Sequence, residues 1–337
     1  MTKKNHKVIV ITLNYNQNKY TIDCIQSILN SEYSNINILI IDNGSTLNNY
    51  HELLLEIDKI NDSRIILKRI NENIGYVGGI NYGLKEGLKL IPNYFLIMNN
   101  DTVIHKESIS ELVSVCQKYS NYAIVSGKVY WYDNPNLIQN AGIKFSKFNK
   151  NPKPIGLNMY DPIQNDKIAY RDMLDDIYWL FPVALIDKIG FYSDDFWFNY
   201  EQADFAMKAK KAGYKLIYTP FAKLWHKSGV SIGGRINNPI KTYYNTQSLL
   251  IYMYKNFNIF LFLFTYIKIW VRLAKYCFLI PLGKFSIKQI YATLGGIIYF
   301  HKWVVIRNKN SGKIPAIIHN HMSKKIVSTD KSILNNM

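Results

Sequence analysis

The apolar run Tyr94-Phe95-Leu96-Ile97-Met98 is long enough for one buried strand, and it stops at Asn99-Asn100-Asp101, three small polar side chains ending in a carboxylate. A carboxylate at a strand end can hold a hard cation against a diphosphate, and in open α/β sheets ligands collect beyond the carboxyl ends of the strands. The same residues also suit an ordinary strand-to-helix turn, in which Asn and Asp serve as turn and cap residues. Two further polar breaks follow strand-like runs: Asp42-Asn43-Gly44-Ser45-Thr46, and the stretch Asn71-Glu72-Asn73-Ile74-Gly75-Tyr76-Val77-Gly78-Gly79. Later come Tyr200-Glu201-Gln202-Ala203-Asp204, whose acids suit a helix N-terminus, and Leu224-Trp225-His226, which brings an imidazole.

The elements that must position these residues alternate. Lys7 to Leu13, Ile36 to Ile41, Arg64 to Ile70 and Tyr94 to Met98 are β-rich, and helical spacing separates them in Asn18 to Leu29 and Asn81 to Leu90. This βαβ pattern predicts an α/β fold with a mostly parallel sheet, in which every strand's carboxyl end points the same way. The polar breaks therefore converge on one rim with Asp101. From Phe145 to Asp172 the pattern loosens into a long loop or an excursion over the site. The chain is denser again over 176–226, with a helical run closing at Ala212-Gly213 and a strand-like Tyr214 to Thr219.

Charge divides the chain unevenly. Residues 221–337 carry 17 Lys+Arg and one acid, or +16, and residues 1–220 carry 24 and 23, or +1. Such a tail suits nucleic acid or an anionic membrane surface. Its cations are interleaved with bulky aliphatic and aromatic residues rather than forming a polar basic face, which argues against nucleic acid. Within Phe257 to Pro281, Lys268, Arg272 and Lys275 stand at i, i+4 and i+7 and share one helical face. The pattern predicts a helix lying in a bilayer interface; the alternatives are a basic helix packed on the preceding domain and a true span. Ile290 to Phe300 is expected to be a second membrane-touching element, and the end from Ser311 to be poorly ordered. Cys24, Cys116 and Cys277 are odd in number and lack metal-like spacing, so they are expected to be reduced thiols of a cytosolic protein. Val8 to Leu13 is too short for the core of a secretory signal and reads as a first strand.

Taken in order, the segments resemble a family 2 glycosyltransferase of the GT-A type, the class that includes bacterial rhamnosyltransferase-like and galactofuranosyltransferase-like enzymes. Val8 to Asn16 is similar to the family's opening strand, Ile40 to Thr46 to its nucleotide-contacting loop, and Asn73 to Asn81 to its Asn-Leu-Gly…Gly-Gly-x-Asn segment. Asn99-Asn100-Asp101 stands where the family keeps its metal-binding acidic triplet, and Leu224-Trp225-His226 where it keeps a late histidine. The resemblance implies a GT-A domain, Rossmann-like with a mostly parallel central sheet, over residues 1–235. It leaves a helical, basic, membrane-associating region over 236–310 and a tail over 311–337.

It also implies site residues. Asp101 and His226 would hold Mn²⁺ or Mg²⁺ against the leaving nucleoside diphosphate. Tyr15 would stack on the base and Asp42 would accept hydrogen bonds from base or ribose, with Asn14, Asn73, Asn81, Asn99 and Asn100 completing the nucleotide-sugar site. Gly78 and Gly79 would let the backbone approach the nucleotide, although they match no P-loop or dinucleotide fingerprint. Inverting members use a carboxylate in the Tyr200–Asp204 segment as general base, usually the position that is Gln202 here. An amide cannot accept a proton at neutral pH, so Glu201 or Asp204 takes the task, the acceptor is deprotonated differently, or catalysis is lost. The chain also has Asn99 and Asn100 where the family often has another acid, and Phe181-Pro182 near where a glycine commonly stands.

The expected function is inverting transfer of a sugar from a UDP- or dTDP-sugar to a glycan or lipid-linked acceptor in surface polysaccharide biosynthesis. The expected location is peripheral, on the cytoplasmic face of the cell membrane. The alternative is a catalytically impaired homologue that binds a nucleotide sugar or a partner transferase. Oligomeric state is not legible.

Overall fold

The computed structural model describes residues 6–146, 152–162, 166–227, 238–280 and 287–309. Its elements in order are β1 (Val8–Asn14), α1 (Asn18–Leu29), β2 (Ile36–Asn43), α2 (Leu47–Ile60), β3 (Ile65–Ile70), α3 (Gly75–Leu88), β4 (Tyr94–Met98), β5 (Thr102–Ile104), α4 (Ser108–Lys118), β6 (Ala123–Trp131) and β7 (Asn134–Asn140). There follow β8 (Ile143–Phe145), β9 (Pro152–Pro154), β10 (Ala169–Tyr170), β11 (Tyr178–Pro182), α5 (Ala184–Ile189), α6 (Glu201–Lys211), β12 (Lys215–His226), α7 (Pro239–Asn256), α8 (Ile259–Leu279) and α9 (Ile287–Lys309). The chain divides into two compact units: Met1–Tyr192 with Phe205–Ser228, and Ser193–Asp204 with Gly229–Met337.

In the first unit, ten strands among the described residues form one sheet, ordered β10-β12-β6-β11-β4-β1-β2-β3 with β5 on β12 and β7 on β6. β1 pairs in parallel with β2 and β4, β2 with β3, and β12 with β6, so the expected mostly parallel sheet is present. β11 lies antiparallel between β4 and β6. Strands covered on both faces need continuous apolar runs, and Val8, Ile9, Val10, Ile11 and Phe95, Leu96, Ile97 have no exposed surface. α1 buries Cys24, Ile25 and Ile28 on one stripe, its i and i+4 spacing facing the sheet.

Two elements differ from the sequence reading. α3 begins at Gly75 rather than near Asn81, so the glycine-rich break is largely helix. Its glycines serve close packing: a Cβ at Gly83 would stand 2.7 Å from Ile11 Cγ2 and one at Gly87 2.6 Å from Phe95 Cε1. β12 runs on to His226 instead of ending at Thr219, because pairing with β6 resumes at Lys223 after an irregularity and β5 pairs with it from the other side. Part of the expected 145–172 excursion is the β8–β9 hairpin, and the rest includes residues outside the described ones.

In the second unit, α7 starts with Asn238 accepting from Ile240 N–H and Pro239 at the first position, and α8 with Asn258 accepting from Leu261 N–H. α9 buries Ala292, Ile297, Tyr299, Phe300 and Trp303, so much of the expected second membrane-touching element is packed inside this unit. Gly296 sets the approach of α9 to α7: a Cβ there would lie 2.8 Å from Thr246 Cβ and 2.9 Å from the Tyr243 carbonyl oxygen. α8 buries Ile269 and Leu273. Phe260, Leu263, Phe264, Ile267, Val271 and Phe278 are exposed and fall on the opposite side of the helix, with Lys268, Arg272 and Lys275 along one flank. Among the described residues, no helix is long and apolar enough to cross a membrane. The expected disordered end from Ser311 lies outside the described residues.

Candidate active site

The carboxyl ends of β1, β2 and β4 meet in a buried chain of hydrogen bonds. Asn100 Nδ2 donates to Thr21 Oγ1 (2.9 Å), Thr21 Oγ1 donates to Asn14 Oδ1 (2.8 Å), and Asn14 Nδ2 donates to Asp42 Oδ2 (2.9 Å). The second Asp42 oxygen accepts from Ser45 N–H at 3.2 Å. Asp42 is 0% exposed. Asn14 and Ser45, themselves buried, enclose the carboxylate that the sequence reading expects to meet base or ribose. Tyr15, next along the chain, is 47% exposed and free to present its ring face.

Other candidates have local duties. Asn73 Oδ1 accepts from Gly75 N–H at 2.9 Å, closing the turn before α3. Gly44 (φ +79°) lies against that turn, where a Cβ would come within 2.3 Å of Asn73 N. Gly78 packs on Ile74 and Gly79 on Leu13. Asn81 is tied to the Tyr192 backbone: its Nδ2 donates to the Tyr192 carbonyl (2.9 Å) and its Oδ1 accepts from Tyr192 N–H (3.0 Å), clamping the backbone just before Ser193. Asn99 is held by its backbone, donating to the Ile177 carbonyl at 2.9 Å and accepting from Thr102 Oγ1 at 2.6 Å.

Asp101 and His226 come together in the structure. β5 pairs Thr102 with His226, Lys227 N–H donates to the Asp101 carbonyl at 2.8 Å, and His226 Nε2 stands 3.3 Å from Asp101 Oδ1. His226 Nδ1 is 2.9 Å from Gln139 Oε1. With that oxygen accepting, Nδ1 carries a proton and donates, so Nε2 faces the carboxylate either protonated or with its lone pair. In the second case two acceptors oppose each other and a cation between them is the natural partner. The oxygen and imidazole donors suit a divalent ion. No group of three or more His, Cys, Asp or Glu side chains positioned for a metal exists among the described residues, so such an ion would lean on a ligand's own oxygens.

Beneath this corner, burial pushes the Cys24 thiol up to about 12, and its Sγ lies 3.6 Å from the Asn99 carbonyl oxygen. The sequence reading missed Asp175 and Asp176, just before β11. Burial raises both carboxyls above the ordinary range; the charge of Asp175 raises Asp176 further, and His226 opposes the shift on Asp175. Tyr76 at the start of α3 donates to Asp176 Oδ2 at 3.0 Å. The signal was two adjacent acids ahead of the apolar run Ile177 to Phe181, masked because the run itself reads only as a strand.

The acid-bearing segment belongs to the second unit. Glu201 and Asp204 are 3% and 1% exposed. Asp204 Oδ1 accepts from Asn256 Nδ2 at 2.8 Å, and Lys255 Nζ is 3.5 Å from Oδ2. Burial alone would raise the neighbouring Asp195 carboxyl, but the Lys255 ammonium at 2.6 Å, with Trp303 and Ser193 as donors, holds it below the usual carboxylate range. Among the described residues, Gln202 Oε1 is buried and has no hydrogen-bond partner. Asn199 and Tyr200, immediately upstream, both have positive φ (+66° and +64°), a conformation that costs a non-glycine residue about 1–3 kcal/mol and persists only where neighbours enforce it.

The chain is 28% identical over 147 residues to a low-salt glycan biosynthesis hexosyltransferase of Haloferax volcanii, covering 41% of this chain and 44% of that protein. It is 27% identical to the glycosyltransferase GlyG of Streptococcus pneumoniae, covering 37% and 40%. It is 22% identical over 220 residues to a poly-β-1,6-N-acetyl-D-glucosamine synthase of Staphylococcus aureus, covering 65% and 50%. These matches span about half or less of the relatives' own lengths. In fold the chain is similar to GalNAc-T7, solved with UDP, GalNAc and Mn²⁺, with a TM-score of 0.56 at 14% identity over 66% of this chain and 44% of that one. The profile of Glycosyl transferase family 2 matches residues 8–177, from the first strand through the rim and the Asp175-Asp176 pair, and the chain belongs to that family.

Proposed function

We propose that the protein transfers a sugar, with inversion, from a UDP- or dTDP-sugar to a hydroxyl of a glycan or lipid-linked glycan acceptor. The observation that carries this reading is the facing pair Asp101 Oδ1 and His226 Nε2, 3.3 Å apart at the carboxyl edge of a mostly parallel sheet. The exposed ring of Tyr15 beside the Asn14–Asp42 network supports a nucleoside position on the same edge.

In the proposed reaction the acceptor oxygen attacks the anomeric carbon and the nucleoside diphosphate leaves with the electron pair of the broken carbon–oxygen bond. The acceptor's proton passes to Glu201, while Asp204 is held by Asn256 and Lys255 of α7. Asp101 and His226 would hold Mn²⁺ or Mg²⁺, which when bound offsets the charge developing on the diphosphate. Only Asp101 brings a charge in the Asn99–Asp101 triplet, so metal affinity without nucleotide should be poor.

The exposed apolar stripe of α8, flanked by Lys268, Arg272 and Lys275, supports peripheral attachment to an anionic membrane surface, the stripe settling at the headgroups and the cations on the lipid charge. We assign this to the cytoplasmic face, where the donor is available. Gln202 favours a second reading, a binding-only homologue. A thermal-shift panel of UDP- and dTDP-sugars with and without Mn²⁺, followed by a nucleotide-release assay on the best donor, separates the two. Release that disappears in Asp101→Ala supports the transferase; nucleotide-sugar binding with no release under any condition supports the binding module.

A further inference from the structure

One face of α7 grips the whole segment that leads into α6. The gripping residues, 244, 248, 252, 255 and 256, follow helical spacing and so form one stripe. Tyr244 stands edge-on to the Phe198 ring at 6.3 Å, and Ser248 Oγ donates to the Phe198 carbonyl at 2.9 Å. Tyr252 packs on the ring of Tyr200 at 5.6 Å. Lys255 Nζ donates to Ser193 Oγ (2.7 Å) and Asp195 Oδ2 (2.6 Å) and reaches Asp204 Oδ2 (3.5 Å), while Asn256 Nδ2 donates to Asp204 Oδ1 (2.8 Å). Trp303 Nε1 on α9 donates to the other Asp195 oxygen at 3.0 Å.

Inside this grip lie the left-handed residues Asn199 and Tyr200, directly before Glu201. Two consecutive non-glycine residues do not hold that conformation unaided. Helix packing alone would not need a half-buried ammonium among two carboxylates; apolar side chains do that at less cost in desolvation. What the ammonium and the amide supply is a fixed orientation for the first turn of α6.

We infer that this face of α7 is the template for the acid-bearing turn: Lys255 and Asn256 are positioning residues that grip Asp204 as a buttress and so fix the turn that carries Glu201. The helical unit is then part of the transfer machinery as well as an attachment surface. This rests on the base role assigned to Glu201 above.

The test uses the full chain and nucleotide release from whichever of UDP-glucose, UDP-galactose, UDP-N-acetylglucosamine or dTDP-rhamnose turns over. Lys255→Met alone leaves Asp195 and Asp204 short of a cation and is prone to misfolding. The working variants are therefore the charge-balanced pair Lys255→Met with Asp195→Asn, together with Asn256→Ala and Lys255→Arg. Each is checked for wild-type circular dichroism and nucleotide binding. The template predicts that the charge-balanced pair and Asn256→Ala lower kcat about 10- to 100-fold with donor KM within twofold, and that the acid limb of the pH–rate profile moves. Lys255→Arg should restore much of the rate. The inference is overturned if folded variants keep kcat within twofold of wild type while Glu201→Gln is inactive. If Glu201→Gln itself keeps wild-type kcat, the base assignment has failed instead, and the positioning role falls with it.

Discussion

The rim at the ends of β1, β2 and β4 and the turn that opens α6 are held by opposite means. The rim is fixed by neutral amides and hydroxyls wrapped around one buried carboxylate, Asp42, all supplied by elements that the sheet already brings together. The turn is fixed by a half-buried cation, Lys255, set among carboxylates, and the lysine comes from a helix about fifty residues downstream. A binding surface built the first way is preorganised by the same burial that folds the sheet. A turn held the second way leans on side chains far along the chain, Lys255 and Asn256 foremost, which makes it precise and easy to break.

The sharpest way to separate the two regions is at the carboxylates themselves. Glu201→Gln should lower kcat by about 10²–10⁴-fold with little change in donor affinity, as measured by nucleotide release beside nucleotide binding. Asp204→Asn keeps an acceptor for Asn256 and should cost far less. If the two variants are equally inactive, the division between base and buttress collapses. At the rim, Asp101→Asn should abolish the Mn²⁺-dependent part of nucleotide-diphosphate affinity in calorimetry and take turnover with it. Intact binding and turnover in that variant would refute the metal role of the corner.

The next effect is on stability. Thr21→Val leaves Asn14 Oδ1 and Asn100 Nδ2 without their buried partner and should cost about 1–3 kcal/mol in denaturant unfolding. A loss under 0.5 kcal/mol would show that the chain of amides does not hold the rim. The pH responses should run in opposite directions. Asp175 and Asp176 are raised, so the folded state binds more protons than the unfolded one. Protection near β11 should therefore fall as pH climbs above about 4 towards the raised values, and Asp176→Asn should flatten that slope. Asp195 is depressed, so its contribution is present above the ordinary carboxylate range and lost as pH falls through the folded value. Hydrogen exchange corrected for intrinsic rates reads both. The smallest effect on turnover belongs to α8: Ile267→Glu with Val271→Glu should abolish flotation with anionic vesicles while nucleotide release in solution stays within about twofold, the size expected of exposed positions away from the site.

Much of the first unit was legible because its signals are local. Val8 to Asn14 and Tyr94 to Met98 are apolar runs that end in polar residues, and α1 carries its periodicity openly. Glycines misled the reading of α3, since Gly75, Gly78 and Gly79 argue for a loop, whereas Gly79, with Gly83 and Gly87 further on, lets a helix approach the sheet closely. The pairing of Asp101 with His226 was anticipated only through motif order, because it depends on β12 continuing past the irregularity after Thr219. Asp42 was legible as a polar residue at a strand end but its complete burial was not: nothing in Ile40 to Thr46 says that Asn14 and Ser45 will close over it. Lys255 was invisible. A lysine among aromatic and aliphatic residues reads as one more surface cation, and only the fold brings it to Asp195.

The three thiols make the last comparison usable at the bench. Cys24 and Cys116 are buried, and burial pushes each thiol up to about 12, whereas Cys277 is exposed on α8. Alkylating reagents at neutral pH should therefore mark a single position without any engineered cysteine. An environment-sensitive fluorophore attached there would sit beside the apolar stripe and report, in the otherwise unaltered chain, whether that stripe leaves water when vesicles are added.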